Sequence, residues 1–444
     1  MPMKTFLKSF VIAILTFEAS LLLKRHHPTI VAVTGSVGKT STKDAIYAAV
    51  KGSVSARKSQ KSFNSEIGVP LTVLGLSNGW NNPFLWLKNI FDGLFIALFV
   101  KEYPAVLILE AGVDQPGDMA KLTAWVKPDI VVLTRLPAVP VHVEFFKTLE
   151  AIVAEKMVLL SALKPNGTLV YNNDDEIIAK EKDKVRQRQV GFGRYAPTDF
   201  TASADRIVYR QNIIHGLSFV VSHVEESHTV TAAGVVGTQS VYNVTAALAV
   251  ADVLGVPLSA AVANLADLQT PNGRMRIIPG LKGSTLIDDT YNSSPAAAEA
   301  ALSTLREISL AKRKIAVLGD MLELGSFSND AHRKLGEQAA AATDLLLTVG
   351  IRARVIAAGA LAAGLPEEKI LQYEDVERAG RELQGILQSG DVVLIKASQS
   401  IRAERIVEEV MADPDHTEQL LVRQEPEWKK KKITLAPAKP AEVH

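Results

Sequence analysis

The chain has 444 residues, enough for two or three domains with real cores, and its 47% hydrophobic and 22% charged content is that of a folded globular protein. Forty-nine Lys and Arg against 48 Asp and Glu leave a formal charge of +1, which excludes a global field drawing in nucleic acid. With no cysteine, disulfides, thiolate metal sites and thiol nucleophiles are excluded as well.

Residues Phe6 to Leu23 form the first apolar run, flanked by Lys4 and by Lys24-Arg25. The run is short for a span, carries Lys8 and Glu18, and lacks a small-residue cleavage site. Three readings stay open: a helix packed on the domain, an interfacial membrane helix, or an anchor, with the first two favoured. A second apolar stretch, Pro83 to Val100, reads as an amphipathic helix. The two would either cover each other or form one greasy face.

The β-branched run Thr29 to Val33 reads as a buried strand, followed by Thr34-Gly-Ser-Val-Gly-Lys-Thr-Ser41 and a helix opening at Lys39-Thr40. Gly35 and Gly38 allow backbone N–H groups close to phosphate oxygens, and the helix N-terminus adds partial positive charge. Lys39 reaches toward β- and γ-phosphates, and the Thr40 hydroxyl is placed to ligate Mg²⁺. Val33 stands where the usual first glycine of such a loop would be.

Tyr103 to Leu109 reads as a second buried strand ending at Glu110. A carboxylate at the carboxyl end of a parallel strand faces the ligand side of an open α/β sheet, so Glu110 is a candidate Mg²⁺ ligand. Asp129 to Thr134 is a third strand, with His142 eight residues on. Thr148 to Leu163 reads as a helix carrying Lys156, and Gly167 to Asp175 as a strand and polar turn. By themselves, a lone loop histidine and a helical lysine read as solvated surface groups. Residues 190 to 235 suggest a small β insertion, and Gly237 to Leu254 a helix. After the turn Pro271 to Arg274, four buried-type strands (Ser284 to Asp288, Lys314 to Leu318, Leu345 to Val349, Asp391 to Ile395) alternate with helices. Asp320 and Glu323 are read either as site acids or as loop acids capping a helix. The charged, Pro-rich residues 424–444 are expected to be disordered.

The series T-G-S-V-G-K-T, N-S-E-I-G-V-P-L, L-E-A-G, D-I-V-V-L-T, Y-N-N-D-D, Y-N-V-T-A-A-L, D-D-T-Y-N, L-G-D-M-L-E-L-G and K-A-S-Q-S-I-R resembles the Mur ligase superfamily over about residues 29 to 410. D-D-T-Y-N and L-G-D-M-L-E-L-G resemble the branch that adds D-alanyl-D-alanine to UDP-N-acetylmuramoyl-tripeptide. The resemblance implies an α/β chain: an apolar N-terminal helix (1–28), a central P-loop ATPase domain with a mostly parallel sheet (29–271), a C-terminal Rossmann-like domain (272–423) and a tail. It implies an ATP-dependent ligase that works through an acyl phosphate with two Mg²⁺ ions. Its partners would be a small peptidoglycan precursor and a dipeptide, with no nucleic acid. A cytoplasmic monomer is expected, with peripheral membrane contact through the N-terminal helix as an added reading.

The resemblance also implies roles. Thr34, Gly35, Ser36, Val37, Gly38, Lys39, Thr40 and Ser41 would hold the phosphates, with Asn64 nearby. Glu110 and His142 would bind metals, and Lys156 would be carbamylated by CO₂. Asn243 would approach adenine, Arg274 the γ-phosphate, and Asp289 the ribose, with Tyr291 and Asn292 near the base. Lys396, Ser398 and Arg402 would face the cleft. The chain departs from the family pattern in a longer loop before His142, in Gln239-Ser240 for a His-Asn pair, in Ala397 for glycine, and in the short stretch before the first strand. Two alternatives remain: a ligase using another amine or a lipid-linked or polyglutamate-type acceptor, and a non-catalytic nucleotide-binding partner.

Overall fold

The structure, a computed structural model, describes residues 2–60, 63–80, 82–136, 146 and 148–430, with the side chains of 2–6 left aside. Fifteen strands among these residues form two sheets. The first has the order β2-β3-β1-β4-β5-β6-β7-β8-β9: β1 Thr29–Thr34, β2 Ala56–Lys58, β3 Val106–Glu110, β4 Ile130–Leu133, β5 Thr168–Asn172, β6 Arg188–Gly193, β7 Phe200–Arg210, β8 Ile213–His223 and β9 Glu226–Ala233. Pairing is parallel from β2 through to the start of β7, and antiparallel from β7 to β9. Residues 190 to 235 therefore extend the main sheet and are not a separate insertion. Alternation marks a strand but does not say which edge it joins.

The second sheet has the order β10-β11-β15-β12-β13-β14. Here β10 Arg276–Pro279 runs antiparallel to β11 Thr285–Asp289, while β12 Arg313–Gly319, β13 Leu345–Val349, β14 Ile370–Tyr373 and β15 Asp391–Lys396 complete a parallel set. The α/β class and two-sheet organisation are as expected. Helix Arg354–Ala362, and strands β10 and β14, go beyond the sequence reading.

The strand order matters for the site. β1 lies between β3 and β4, with Val33 level with Glu110 and Thr34 level with Leu133. Loops leaving these three strands share one edge, at the point where strand order switches direction. Such crevices are where open α/β sheets bind ligands. Helices Lys39–Val50 and Thr238–Val253 cover one face, and Leu149–Ser161 the other.

The N-terminal run is a helix, Pro2–His26, and it packs. Leu15, Ala19, Leu22 and Leu23 meet Ile30, Leu107 and Leu109 on the sheet and the helix Gly68–Leu74. Each large side chain so buried contributes about 1.5–3 kcal/mol. No helix among the described residues is long and apolar enough to cross a membrane. The tail differs from expectation at its start. Pro426–Lys429 is helical, because Trp428 and Arg423 dock on the second domain; residues 431–444 lie outside the described residues.

Candidate active site

The loop after β1 is built around two glycines that nothing else fits. Gly35 has φ +144, and a Cβ there would sit 2.1 Å from the Thr134 Oγ1. That hydroxyl is already committed, donating to the Val37 carbonyl at 2.7 Å. Gly38, at φ +88, caps the helix Lys39–Val50, and its Cβ would stand 2.8 Å from the Asn243 Oδ1. The Ser36 N–H donates to the Arg135 carbonyl, which pins the loop between β1 and β4. The result is a strand–loop–helix turn with its backbone open to an anion.

Three charged groups converge beneath it. The Lys39 Nζ donates to the Gly35 carbonyl at 2.9 Å, and the Lys156 Nζ to the same carbonyl at 3.3 Å. Both amines are held below the ordinary lysine range by burial. For Lys156 the Lys39 ammonium adds to this, bringing it down to about 7. The third group is Glu110, only 1% exposed. Its Oε2 accepts from the Thr40 hydroxyl at 3.0 Å and its Oε1 from the Asn64 Nδ2 at 3.2 Å, while the Lys43 Nζ lies 3.9 Å away. Ser36, Lys39, Asn64, Asp114 and Lys156 line one small cavity at this spot.

The second domain supplies the opposite wall. A cleft is lined by Val37, Gly38, Ser41 and Asn243 on one side and by Arg274, Asp289 and Lys396 on the other. The Lys396 Nζ donates to the Asp289 Oδ2 at 2.6 Å and to the Asn292 carbonyl at 2.9 Å; the Asp289 Oδ1 accepts the Met275 N–H. The Arg274 guanidinium stacks 4.0 Å from the centre of the Tyr291 ring, and its buried Nε has no partner among the described atoms. Thr34 presents a second orphaned buried atom, its Oγ1.

Several sequence-derived expectations meet a different placement. Asn243 lines the cleft, and its Oδ1 accepts from the Thr42 hydroxyl of helix Lys39–Val50 at 3.0 Å. Ser398 and Arg402 do not face the cleft. The Ser398 Oγ accepts the Leu322 N–H at 2.9 Å. Arg402 is buried, donating to Glu404 and to the Trp428 carbonyl, because the chain after β15 turns back under the domain. Asp320 has the structural role: its Oδ1 accepts the Ala353 N–H at 2.7 Å, just before helix Arg354–Ala362. His142 lies outside the described residues.

Sequence reasoning passed over Lys43, Asp114, Thr134 and Arg423. Asp114 had a signal, four residues after Glu110 in the same loop. Arg423 had none: it grips the Thr290 and Tyr291 carbonyls from more than a hundred residues away, and Glu404 from 19.

Comparisons with known proteins bear on this geometry. The family model described as "Mur ligase middle domain" matches residues 93–251, and "Mur ligase, glutamate ligase domain" matches 273–399. The UDP-N-acetylmuramoyl-tripeptide–D-alanyl-D-alanine ligase of Mycobacterium leprae is 30% identical over 414 residues, covering 87% of this chain and 74% of that protein. The Bacillus subtilis protein of the same name is 26% identical over 389 residues, covering 87% and 76%. The crystal structure of MurF ligase from Thermotoga maritima in complex with ADP superposes with TM-score 0.73 at 27% identity, covering 92% of this chain and 84% of that one. The chain spans about three quarters of these curated relatives. With a family model on each of its two sheet domains and a relative at this identity, the chain belongs to the Mur ligase family.

Proposed function

We propose that the protein joins D-alanyl-D-alanine to the free carboxylate of a UDP-N-acetylmuramoyl-tripeptide, consuming ATP and releasing ADP and phosphate. One observation carries this reading. A loop that only glycines permit sits over Lys39, Lys156 and a Thr40–Glu110 pair, across a cleft from Arg274, Asp289 and Lys396. The named substrates follow from the relatives' activity.

The main obstacle is repulsion between a carboxylate and a triphosphate. The loop N–H groups and Lys39 would neutralise β- and γ-phosphate charge where it develops. A substrate carboxylate oxygen then attacks the γ-phosphorus, the bond to the β-phosphate oxygen breaks, and ADP departs. The dipeptide amine attacks the resulting acyl carbon, phosphate leaves, and the amine proton passes to solvent or base. Arg274, at the turn between domains, is placed to follow the γ-phosphate as the cleft closes and excludes water.

Mg²⁺ fits the oxygen donors present. Thr40 and Glu110 offer a hydroxyl and a carboxylate 3.0 Å apart at a helix N-terminus. No cluster of three or more acidic or histidine side chains stands ready among the described residues, so nucleotide oxygens would complete the shell. When bound, the metal would supply further charge neutralisation on the phosphates. A second Mg²⁺ would draw on His142 and on a carbamate at Lys156. The free amine that such a carbamate requires is what burial and Lys39 favour at Lys156.

The test is ADP release with UDP-N-acetylmuramoyl-tripeptide plus D-alanyl-D-alanine. Turnover is expected for the pair and not for either alone. No turnover with the pair, alongside turnover with another amine or a lipid-linked acceptor, would overturn the assignment. A Lys156→Ala variant as active as wild type would overturn the mechanism.

A further inference from the structure

The helix Pro83–Phe99 leaves most of its aromatic side chains outside. Its fully buried positions are Asn89, Gly93 and Ala97, spaced four apart and small or polar, with Trp86, Ile90 and Ile96 half-buried beside them. Phe84, Phe91, Phe95 and Phe99 point to solvent, with Phe84 79% exposed and Phe91 64%. Beside it the N-terminal helix Pro2–His26 buries Leu15, Leu22 and Leu23 and exposes Leu7, Phe10 and Phe17. The two helices are fixed to each other. The Arg25 guanidinium donates to the Ala97 carbonyl, and a Cβ at Gly93 would strike the Glu18 carboxylate. An exposed aromatic face of this kind marks a contact surface.

The charges around the face say what it meets. Residues 1–28 and 83–102 carry six Lys and Arg (Lys4, Lys8, Lys24, Arg25, Lys88 and Lys101) against three acids. One of the acids, Glu18, is buried beneath the helices. Lys8, Lys24, Lys88 and Lys101 are exposed, Lys88 lying on the phenylalanine stripe itself and ion-paired to Asp92. Phenylalanines over one face with lysines beside them match an anionic interface, where rings enter the acyl boundary and ammonium groups stay at the headgroups. Each helix has one face committed to the domain, so the pair lies flat on a surface. At about 1.5 Å per residue, the 17 residues of Pro83–Phe99 present a stripe roughly 25 Å long.

We propose that the exposed face of helices Pro2–His26 and Pro83–Phe99 docks the protein peripherally on an anionic phospholipid bilayer. The inference is independent of which amine or acceptor the active site takes.

The test is flotation of the full-length protein with vesicles of phosphatidylcholine alone or mixed with phosphatidylglycerol. Wild type is expected to float with the mixed vesicles and to be released by salt. Phe91→Ser/Phe95→Ser is expected to lower binding at least tenfold, and Lys88→Glu/Lys101→Glu to lower it several-fold, with melting temperature unchanged. Should the phenylalanine pair misfold, Phe84→Ser at the exposed helix start gives the same readout. Failure of wild type to float, or binding indifferent to these variants, would overturn the proposal. So would a discrete dimer in light scattering that Phe91→Ser/Phe95→Ser dissociates without any vesicle binding.

Discussion

Lys156 offers the sharpest test of the site's electrostatics. Its amine lies 3.3 Å from the Gly35 carbonyl, is 3% exposed, and shares that oxygen with the Lys39 ammonium. Burial and then the Lys39 charge bring its pKa from 10.5 down to about 7. At pH about 7.5 this leaves roughly three-quarters of the amine uncharged, against about one part in a thousand for an ordinary lysine. Only the uncharged amine attacks CO₂, so the shift would set the rate of the carbamylation proposed for Lys156. The assay is the initial build-up of labelled carbamate in the nucleotide-free protein at fixed dissolved CO₂. From about pH 6 to about pH 8 the rate should rise roughly tenfold and level off, whereas an ordinary lysine would show about a hundredfold rise with no plateau. An unlevelled hundredfold rise, or an undiminished signal in Lys156→Ala, would refute the reasoning.

Three other outcomes are expected. Gly35→Ala should cost about 1–3 kcal/mol through its φ of +144 and the Thr134 clash, and abolish binding of a fluorescent ATP analogue; a wild-type melting temperature and affinity would contradict this. Glu18, buried beneath the apolar helices, has its pKa raised by burial from 4.5 to about 7. A raised carboxyl pKa gives stability present below pH about 4.5 and lost as pH rises through 7. Glu18→Gln should therefore stabilise the protein at pH 8 and not at pH 4, by at most about 3 kcal/mol, read by urea denaturation at the two pH values. Arg423→Met removes the grip on the Thr290 and Tyr291 carbonyls and leaves Glu404 to Arg402 alone. It should cost about 3 kcal/mol and raise KM for ATP more than it lowers kcat; an unchanged melting temperature and KM would show the strap to be inert.

The local chemistry of the site was readable in the chain. Gly35, Gly38, Lys39 and Thr40 stand at a strand-to-helix junction because φ freedom, helix polarity and short-range spacing are properties of neighbouring residues. Glu110 was readable for the same reason: a carboxylate closing a buried strand must emerge at the sheet edge. The relation between Lys156 and Lys39 was not. A lysine on an apolar helix reads as solvated until the sheet order brings helix Leu149–Ser161 under the β1 loop, and only that burial moves its pKa.

Periodicity and motif also misjudged what depends on tertiary packing. Residues 190 to 235 alternate like any β segment, but their attachment to the nine-stranded sheet rests on the pairing of β6 with β5. Arg402 looked like a cleft residue by motif, yet Glu404 and the Trp428 carbonyl hold it inside. Pro83–Phe99 showed an apolar helix in its composition, while which face would be buried was set by the small residues that let it approach Glu18 and Arg25. The sequence by itself determined the class of fold, the glycine loop between strand and helix and the strand-end carboxylate, since these follow from spacing along the backbone. Tertiary structure alone decided which lysine is pushed toward neutrality, which arginine reaches the cleft and which helix face stays bare, because desolvation and packing bring together residues that the local pattern does not relate.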